Sequence, residues 1–245
     1  MTVNYGPNRY DVVGSFLRPA KLKQAREDFT AGTIDAAALK AIEDECITDL
    51  IAKEKKAGLR FITDGEFRRA TWHLDFMWAF DGIGHSATED GLPFHDEAAK
   101  IDDTYLTGKV SLAGEHPFVE HFRFVQSFEG ESTTAKLTIP APAQFIEQFI
   151  MPMNRKATDA AYESDALLED DIVAAYLAFI EQVYAAGCRN LQFDDCSWGC
   201  LVDPKAELFF GTDQTGLARI KKTLLRVNNR VLDAAPADLC INTHV

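Results

Sequence analysis

At 245 residues the chain suits one large domain or two small ones, and its hydrophobic content of 47%, with 17 Phe, is sufficient for a substantial core. A formal net charge of -13 argues against nucleic acid as a partner, because the phosphates would be repelled. The sequence holds no apolar run of 18 or more residues, so we expect no membrane span.

The cysteines and the N-terminal sequence indicate the compartment. Five cysteines at irregular spacing suit reduced thiols better than a disulfide framework. The N-terminal sequence MTVNYGPNRYDVV lacks the charged and then apolar pattern of a signal peptide. We therefore expect a soluble, cytoplasmic protein.

Short apolar runs alternate with longer stretches at helical spacing along the chain. The runs predicted as strands lie near 11–14, 59–63, 135–139, 189–194 and 238–243. The predicted helices lie near 19–29, 33–57, 70–80, 117–128, 165–186 and 215–232. Residues 81–104, rich in Gly, Asp and Glu, are predicted to form an excursion outside the core, and the strand-like residues 109–112 follow it.

This alternation predicts a parallel sheet covered by helices, in either a doubly wound sheet or a (β/α)8 barrel. No Gly-x-Gly-x-x-Gly follows the first predicted strand, which disfavours dinucleotide binding. In both folds ligands bind at the carboxyl ends of the strands. The residues after each predicted strand are therefore the candidates for chemistry.

The first two predicted strands end in polar residues. The first ends VVGSFLRP, where Gly14 allows close backbone approach, Ser15 offers a hydroxyl and Arg18 a cation, although an ordinary turn with a helix cap has the same pattern. The second ends FITDGEFRRATWH, which brings Asp64, Glu66, Arg68, Arg69 and His73 close together after an apolar run. A solvated loop is the alternative there, but this density of polar residues favours a functional site.

The last two predicted strands end in possible ligands as well. In LQFDDCSWGC two aspartates follow an apolar run, and one of them could hold an ammonium group or accept a proton. Cys196 and Cys200 are four residues apart, but no further thiol or imidazole lies near them to complete a zinc site. The final strand ends at His244, which by itself is an unremarkable terminal histidine.

Taken together, these stretches resemble the cobalamin-independent methionine synthase family, specifically its catalytic barrel and the shorter single-barrel relatives. The resemblance runs from residue 12 to Val245 and covers VGSFLRP, AREDFTAGTID, LRFITDGEFRRATWHLDF, KLTIPAPAQF, NLQFDDCSWGCL and INTHV. It implies a single catalytic domain over residues 1–245, a (β/α)8 TIM barrel of the methionine synthase and uroporphyrinogen decarboxylase type that is truncated after about five strands, with its C-terminal part missing. It also implies zinc-dependent methyl transfer from a methylfolate-type donor to the thiol of homocysteine.

The resemblance assigns roles to particular residues. The substrate-binding residues that it implies are Val13, Gly14, Ser15, Glu66 and Asp194. His244 matches the first ligand of the family's His-x-Cys zinc motif, so the sequence ends inside that motif. The remaining zinc ligands and the proton-donating histidine are expected after Val245. A full-length protein is thus expected to bind zinc, and this chain is not.

Two departures from the family concern the methyl donor. Gln148 stands at the nearest match to a tryptophan that stacks on folate, and Cys200 stands where the large synthases have a carboxylate that contacts folate. Three alternatives therefore stay open. They are another zinc-dependent thiol alkyltransferase, of the kind that opens epoxides with coenzyme M, a metal-free decarboxylase with the same barrel, and an inactive fragment.

Overall fold

The computed structural model describes residues 10–87, 92–94, 97–99 and 102–245. The helices in these residues are α1 Ala20–Thr30, α2 Ala36–Lys56, α3 Leu74–Met77, α4 Pro117–Gln126, α5 Pro142–Ile150, α6 Arg155–Ala161, α7 Asp165–Ala185, α8 Ser197–Val202, α9 Ala206–Phe210 and α10 Gln214–Ala234. The strands are β1 Phe61–Ile62, β2 Asp81–Ser86, β3 Leu92–Phe94, β4 Glu97–Ala99, β5 Asp103–Ser111, β6 Thr134–Ala135, β7 Leu137–Pro140, β8 Asn190–Asp194 and β9 Cys240–His244.

Four predicted strands form a consecutive parallel series. β1 pairs with β6, and β7 pairs with β8, which pairs with β9. Only Lys136 separates β6 from β7, and its N–H donates to the carbonyl of Ile62 at 3.0 Å. The predicted parallel order is therefore confirmed from residue 61 to residue 244, in a mixed α/β fold whose described sheets are small and unclosed.

The predicted first strand, near 11–14, is wrong. None of the described residues from 10 to 19 joins a ladder. The carbonyls of Val12 and Val13 accept hydrogen bonds from the side chains of Lys136 and Gln192 instead. Side-chain donors thus satisfy backbone groups that a neighbouring strand would otherwise pair.

Helix boundaries follow local capping signals. The Asp35 side chain accepts from the Ala38 N–H at 2.8 Å at the start of α2, and Gly58, with φ 82°, follows its end. Pro142 opens α5, where its missing N–H costs nothing. The helix predicted over 70–80 is shorter, because the Asp75 carboxylate holds the N–H groups of Ala70 and Thr71 in a loop.

The predicted excursion contains antiparallel strands. β2 pairs with β5, and β3 pairs with β4. Residues 88–91, 95–96 and 100–101 of this segment lie outside the described residues. β5 also contributes to the core, since Leu106 and Val110 are buried and the Val110 N–H donates to the Tyr162 hydroxyl at 2.6 Å.

The core joins the helices to the parallel strands. An aromatic cluster, in which Phe76 is central, contains Phe76, Phe80, His116, Phe145, Tyr176 and Phe179. The Tyr176 hydroxyl donates to the Pro140 carbonyl at 2.9 Å, which ties α7 to the end of β7. Among the helices in the described ranges, none has the length and apolar character needed to cross a bilayer.

Candidate functional site at the strand ends

A strained turn follows β1 and carries a buried glutamate. Gly65 and Glu66 both have positive φ, 60° and 59°, and Glu66 is the one non-glycine residue with this conformation among those described. Such a backbone costs on the order of 1 kcal/mol or more and is typical of functional sites. The Asp64 carboxylate fixes the turn by accepting from the Glu66 N–H at 2.8 Å.

The Glu66 carboxylate points into the protein, where three side chains hold it. Glu66 is 3% exposed. The Ser15 hydroxyl donates to Oε2, the Thr138 hydroxyl donates to Oε1 at 3.0 Å, and the Arg69 guanidinium lies 3.3 Å from Oε1. Ser15 and Glu66, predicted from separate strand ends, are therefore in direct contact.

A second buried carboxylate, Asp194, ends β8. Its Oδ1 accepts from the Gln192 amide at 2.6 Å and lies 3.1 Å from Nδ1 of His244. Burial raises the pKa of Asp194 to about 6, the Gln192 hydrogen bond opposes that rise, and the charge of Glu66 adds to it. A cationic group bound between Asp194 and Glu66 would reduce the repulsion between their two carboxylates.

Lys136 and Gln192 position the segment before Ser15. The Lys136 ammonium lies 2.8 Å from the Asp11 carboxylate, donates to the Val12 carbonyl, and lies 3.0 Å from the Gln192 amide oxygen. The Gln192 amide nitrogen then donates to the Val13 carbonyl at 2.8 Å. One continuous set of contacts thus joins Val13 to Asp194.

Gly14 lies between these contacts with open space beside it. A Cβ built on Gly14 meets no heavy atom within 4 Å, outside the two neighbouring residues. Packing therefore does not require glycine here. A ligand that approaches the backbone of residues 13–15 would require it.

His244 has one of its ring nitrogens engaged. The bond to Asp194 holds Nδ1, and the side chain is 43% exposed. A carboxylate that orients an imidazole through its other nitrogen is typical of metal-ligating histidines. No group of three or more His, Cys, Asp or Glu side chains suited to a metal occurs among the residues that the structure describes. His244 is therefore a single candidate ligand.

A cavity of about 710 Å³ lies on the side of the sheet where α5 and α8 begin, directly after β7 and β8. Both departures from the resemblance, Gln148 and Cys200, line it. The other lining residues are His73, Leu74, Asp102, Asp103, Thr104, Tyr105, Gln144, Glu147, Met151, Met153, Asn154, Lys156, Ala157, Ala160 and Phe209. Its size and mixed lining are typical of a site for a small organic ligand.

The other polar residues after the first two predicted strands do not all lie in one site. Arg18 clamps the turn by donating to the carbonyls of Glu66 and Arg69, so it serves structure rather than presenting a free cation. Arg68 turns away to the acidic residues of α2, among them Glu43 at 3.2 Å. His73 lines the cavity, and burial lowers its pKa to about 4.

Sequence reasoning missed the polar residues inside the strands. Lys136 and Thr138 are two residues apart, as are Gln192 and Asp194, and Thr138 is in register with Gln192. Alternate residues of a strand share one face, so polar residues at this spacing in neighbouring apolar strands were the available signal. Glu147 had no comparable signal, because it lies in a helix that was not predicted.

Comparison with known proteins identifies two proteins with similar sequences. The chain is 35% identical over 243 residues to the uncharacterized protein YxjH of Bacillus subtilis strain 168, and 33% identical over 240 residues to YxjG of the same strain. Each match covers 98% of this chain and 61% of the relative, so the chain spans about three fifths of their length. No protein-family model matches the chain.

Two solved structures are similar as well. A protein from Listeria monocytogenes, provisionally named a vitamin-B12 independent methionine synthase, is 32% identical with a TM-score of 0.76, over 98% of this chain and 65% of that one. A B12-independent methionine synthase from Shewanella sp. W3-18-1, in complex with selenomethionine, is 16% identical with a TM-score of 0.59, over 86% of this chain and 53% of that one. The second likeness concerns the fold alone. The structural neighbours are thus proteins of the B12-independent methionine synthase type.

Proposed function

We propose that the strand-end site binds the amino-acid end of homocysteine, within an enzyme that transfers a methyl group to the homocysteine thiol and forms methionine. The observation that carries this proposal is the pair of buried carboxylates, Glu66 and Asp194, with Ser15 on one and His244 on the other. The similar Listeria structure, provisionally named a methionine synthase, supports it, and the Shewanella structure supports the fold. The strand order supports the first part of a (β/α)8 barrel as the fold.

In this proposal each residue acts on the amino acid in a defined way. Glu66 and Asp194 hold the ammonium group, whose positive charge offsets the repulsion between them. The Ser15 hydroxyl fixes Glu66, and the open space beside Gly14 admits the ligand next to the backbone of residues 13–15. The thiol then lies at the His244 end of the site.

The proposed cofactor is zinc, held in this chain by His244. Zinc sites need at least three protein ligands, and among the described residues the fit extends to one imidazole oriented by Asp194. We place the other ligands, and the acid that protonates the leaving group, in residues that follow Val245. Zinc bound beside His244 would favour the thiolate form of the homocysteine thiol, which is the nucleophilic form.

We place the donor in the cavity that Gln148 and Cys200 line, and we propose a methylfolate-type compound. Transfer breaks a carbon–nitrogen bond in such a donor, so the leaving nitrogen needs a proton. A planar ring would lie against the apolar side chains of the cavity, among them Met151 and Phe209. Because Gln148 and Cys200 replace the residues that contact folate in the large synthases, an epoxide-opening thiol alkyltransferase is the second candidate function.

The test is methyl transfer by a protein that contains this chain together with the residues after Val245. With zinc, homocysteine and methyl-labelled 5-methyltetrahydrofolate, we expect labelled methionine by mass spectrometry, and a loss of at least tenfold for Asp194→Ala. Asp233→Ala, which removes an exposed carboxylate of α10, serves as the matched control and retains activity. Label found only after coenzyme M and an epoxide replace these substrates would contradict the proposal, as would decarboxylation without metal.

A further inference from the structure

Glu54 is a buried carboxylate of α2 that no step of the proposed function uses. It is 2% exposed, and both of its oxygens accept from Thr63, Oε2 from the N–H and Oε1 from the hydroxyl, each at 3.1 Å. Burial raises the pKa of Glu54 to about 7, so the charged form is held there at a cost in free energy. A neutral side chain would tie α2 to β1 at a lower cost, so the carboxylate itself needs an explanation.

Thr63 connects Glu54 to the strained turn formed by residues 64–67. Its hydroxyl donates to Glu54 and at the same time accepts from the Gly65 N–H at 3.1 Å. A hydroxyl has one proton and two lone pairs, and it rotates to suit its partners. Because Glu54 takes the proton, a lone pair of Thr63 is left to face Gly65. The contacts therefore run from α2 through Thr63 to the residue directly before Glu66.

The turn depends on these contacts because its backbone is unfavourable by itself. Gly65 and Glu66 both have positive φ, and such a conformation persists only where the surroundings fix it. The Asp64 carboxylate accepts from the Glu66 N–H, and the Gly65 carbonyl accepts from the Phe16 N–H at 3.2 Å. Among the described residues, the hydroxyl of Thr63 is the acceptor for the Gly65 N–H. Its loss would leave a buried donor unpaired in the middle of the turn.

The geometry assigns Glu54 a role at a distance, and we propose that it is a positioning residue for the Glu66 carboxylate. It acts through Thr63, whose oriented hydroxyl fixes the Gly65 N–H and with it the backbone that turns Glu66 inwards. When that hydroxyl is lost or turned away, the turn relaxes and the Glu66 carboxylate moves away from Ser15. The inference rests on the proposed function only in naming an amino-acid ammonium group as the ligand of Glu66.

Two substitutions of Thr63 separate its hydroxyl from its shape. Thr63→Val keeps the shape and removes the hydroxyl, whereas Thr63→Ser keeps the hydroxyl. We expect amide hydrogen exchange at Gly65, followed by NMR, to be at least tenfold faster in Thr63→Val than in the wild type. Thr63→Ser should restore a rate close to that of the wild type. Glu54→Gln should behave like Thr63→Val, because an amide has one acceptor oxygen where the carboxylate has two.

The same variants should lose recognition of the ammonium group. Calorimetric titration with homocysteine and with 4-mercaptobutyrate, which lacks that group, measures this recognition. Thr63→Val and Glu54→Gln should each bind homocysteine at least tenfold more weakly and bind 4-mercaptobutyrate as the wild type does. Thr63→Ser should keep the wild-type preference. The double variant should lose no more than either single variant, because both substitutions break one set of contacts.

Glu169→Gln is the matched control, since Glu169 is 3% exposed but pairs with Arg226 and Arg230 of α10. It should lower the melting temperature and leave both the Gly65 exchange rate and the preference for homocysteine unchanged. This control separates a general loss of stability from a specific change in the turn.

Three results would overturn the inference. They are an unchanged Gly65 exchange rate in folded Thr63→Val, an undiminished preference for homocysteine in that variant, and independent, multiplying losses in the double variant. If Glu54→Gln does not fold, the comparison of Thr63→Val with Thr63→Ser decides. A wild type without any preference for homocysteine, whose Gly65 exchange still responds to both substitutions, would support the positioning of the turn and contradict the proposed function.

Discussion

The buried carboxyl of Glu147 should cost the folded chain stability at alkaline pH. Its pKa is raised from the model-compound value of 4.5 to about 7, chiefly because burial disfavours the charge, while Ser197 and Gln144 offset this in part. A carboxyl with a raised pKa contributes stability that is present below pH 4.5 and is lost as the pH rises through 7. Each tenfold change in proton affinity is worth about 1.4 kcal/mol, so the full loss is about 3 kcal/mol.

Glu147→Gln keeps the shape of the side chain and removes its charge. We expect the variant to match the wild type near pH 4.5 and to be about 2 to 3 kcal/mol more stable at pH 8.5. The difference between the two proteins is the quantity to measure, because other groups titrate in the same window. Glu54, also with a pKa raised to about 7 by burial, lowers stability as pH rises. Burial lowers the pKa values of three histidines to about 4, so their contribution to stability increases as the pH rises. They are His73, His116 and His121.

Urea denaturation at pH 4.5, 6, 7 and 8.5 gives the free energy of unfolding for each protein. Asp103→Asn changes an exposed carboxylate and serves as the control in the same titration. A constant difference between Glu147→Gln and the wild type across this range would refute the electrostatic reasoning. A variant less stable at pH 8.5 would show that the carboxylate has a partner.

Three substitutions around the strand-end site should separate binding from packing. Gly14→Ala should leave the melting temperature unchanged but weaken homocysteine binding at least tenfold, because its Cβ enters open space that only the ligand fills. Gly65→Ala should instead destabilise the fold by about 2 kcal/mol, because its Cβ would lie 2.4 Å from Cδ2 of Leu50 and φ is positive. Lys136→Met should cost about 2 kcal/mol and weaken binding too, because Asp11 and the Val12 carbonyl lose the ammonium group that holds them in place. Calorimetric melting and titration measure both properties, and a Gly14→Ala protein that binds normally would remove residue 14 from the site.

The parallel strands were predictable because burial on both faces makes them short apolar runs, as in the fully buried β8. The segment near 11–14 has a similar apolar pattern but forms no strand, because Lys136 and Gln192 capture its carbonyls. Contacts between residues that are 124 or 179 positions apart cannot be obtained from local pattern.

The candidate site was predictable only in part. Glu66 and Asp194 follow β1 and β8, so the rule that parallel strands end at one edge places them together. Ser15 reaches the same site although the segment before it forms no strand. The strained turn at Glu66 and the role of Lys136 depend on tertiary contacts. Glu147 was invisible in the sequence, since a glutamate in an amphipathic helix is ordinarily solvated.

Recognition of the α-amino group by the strand-end carboxylates is the central claim, and one pair of ligands tests it directly. Homocysteine and 4-mercaptobutyrate share the thiol and the carboxylate, but only homocysteine has the ammonium group. Isothermal titration should give at least tenfold tighter binding of homocysteine to the wild type, or about 1.4 kcal/mol. Asp194→Ala should abolish most of that difference while leaving binding of 4-mercaptobutyrate no weaker. Equal affinities of the wild type for the two thiols, or a preference that survives Asp194→Ala undiminished, would contradict the account.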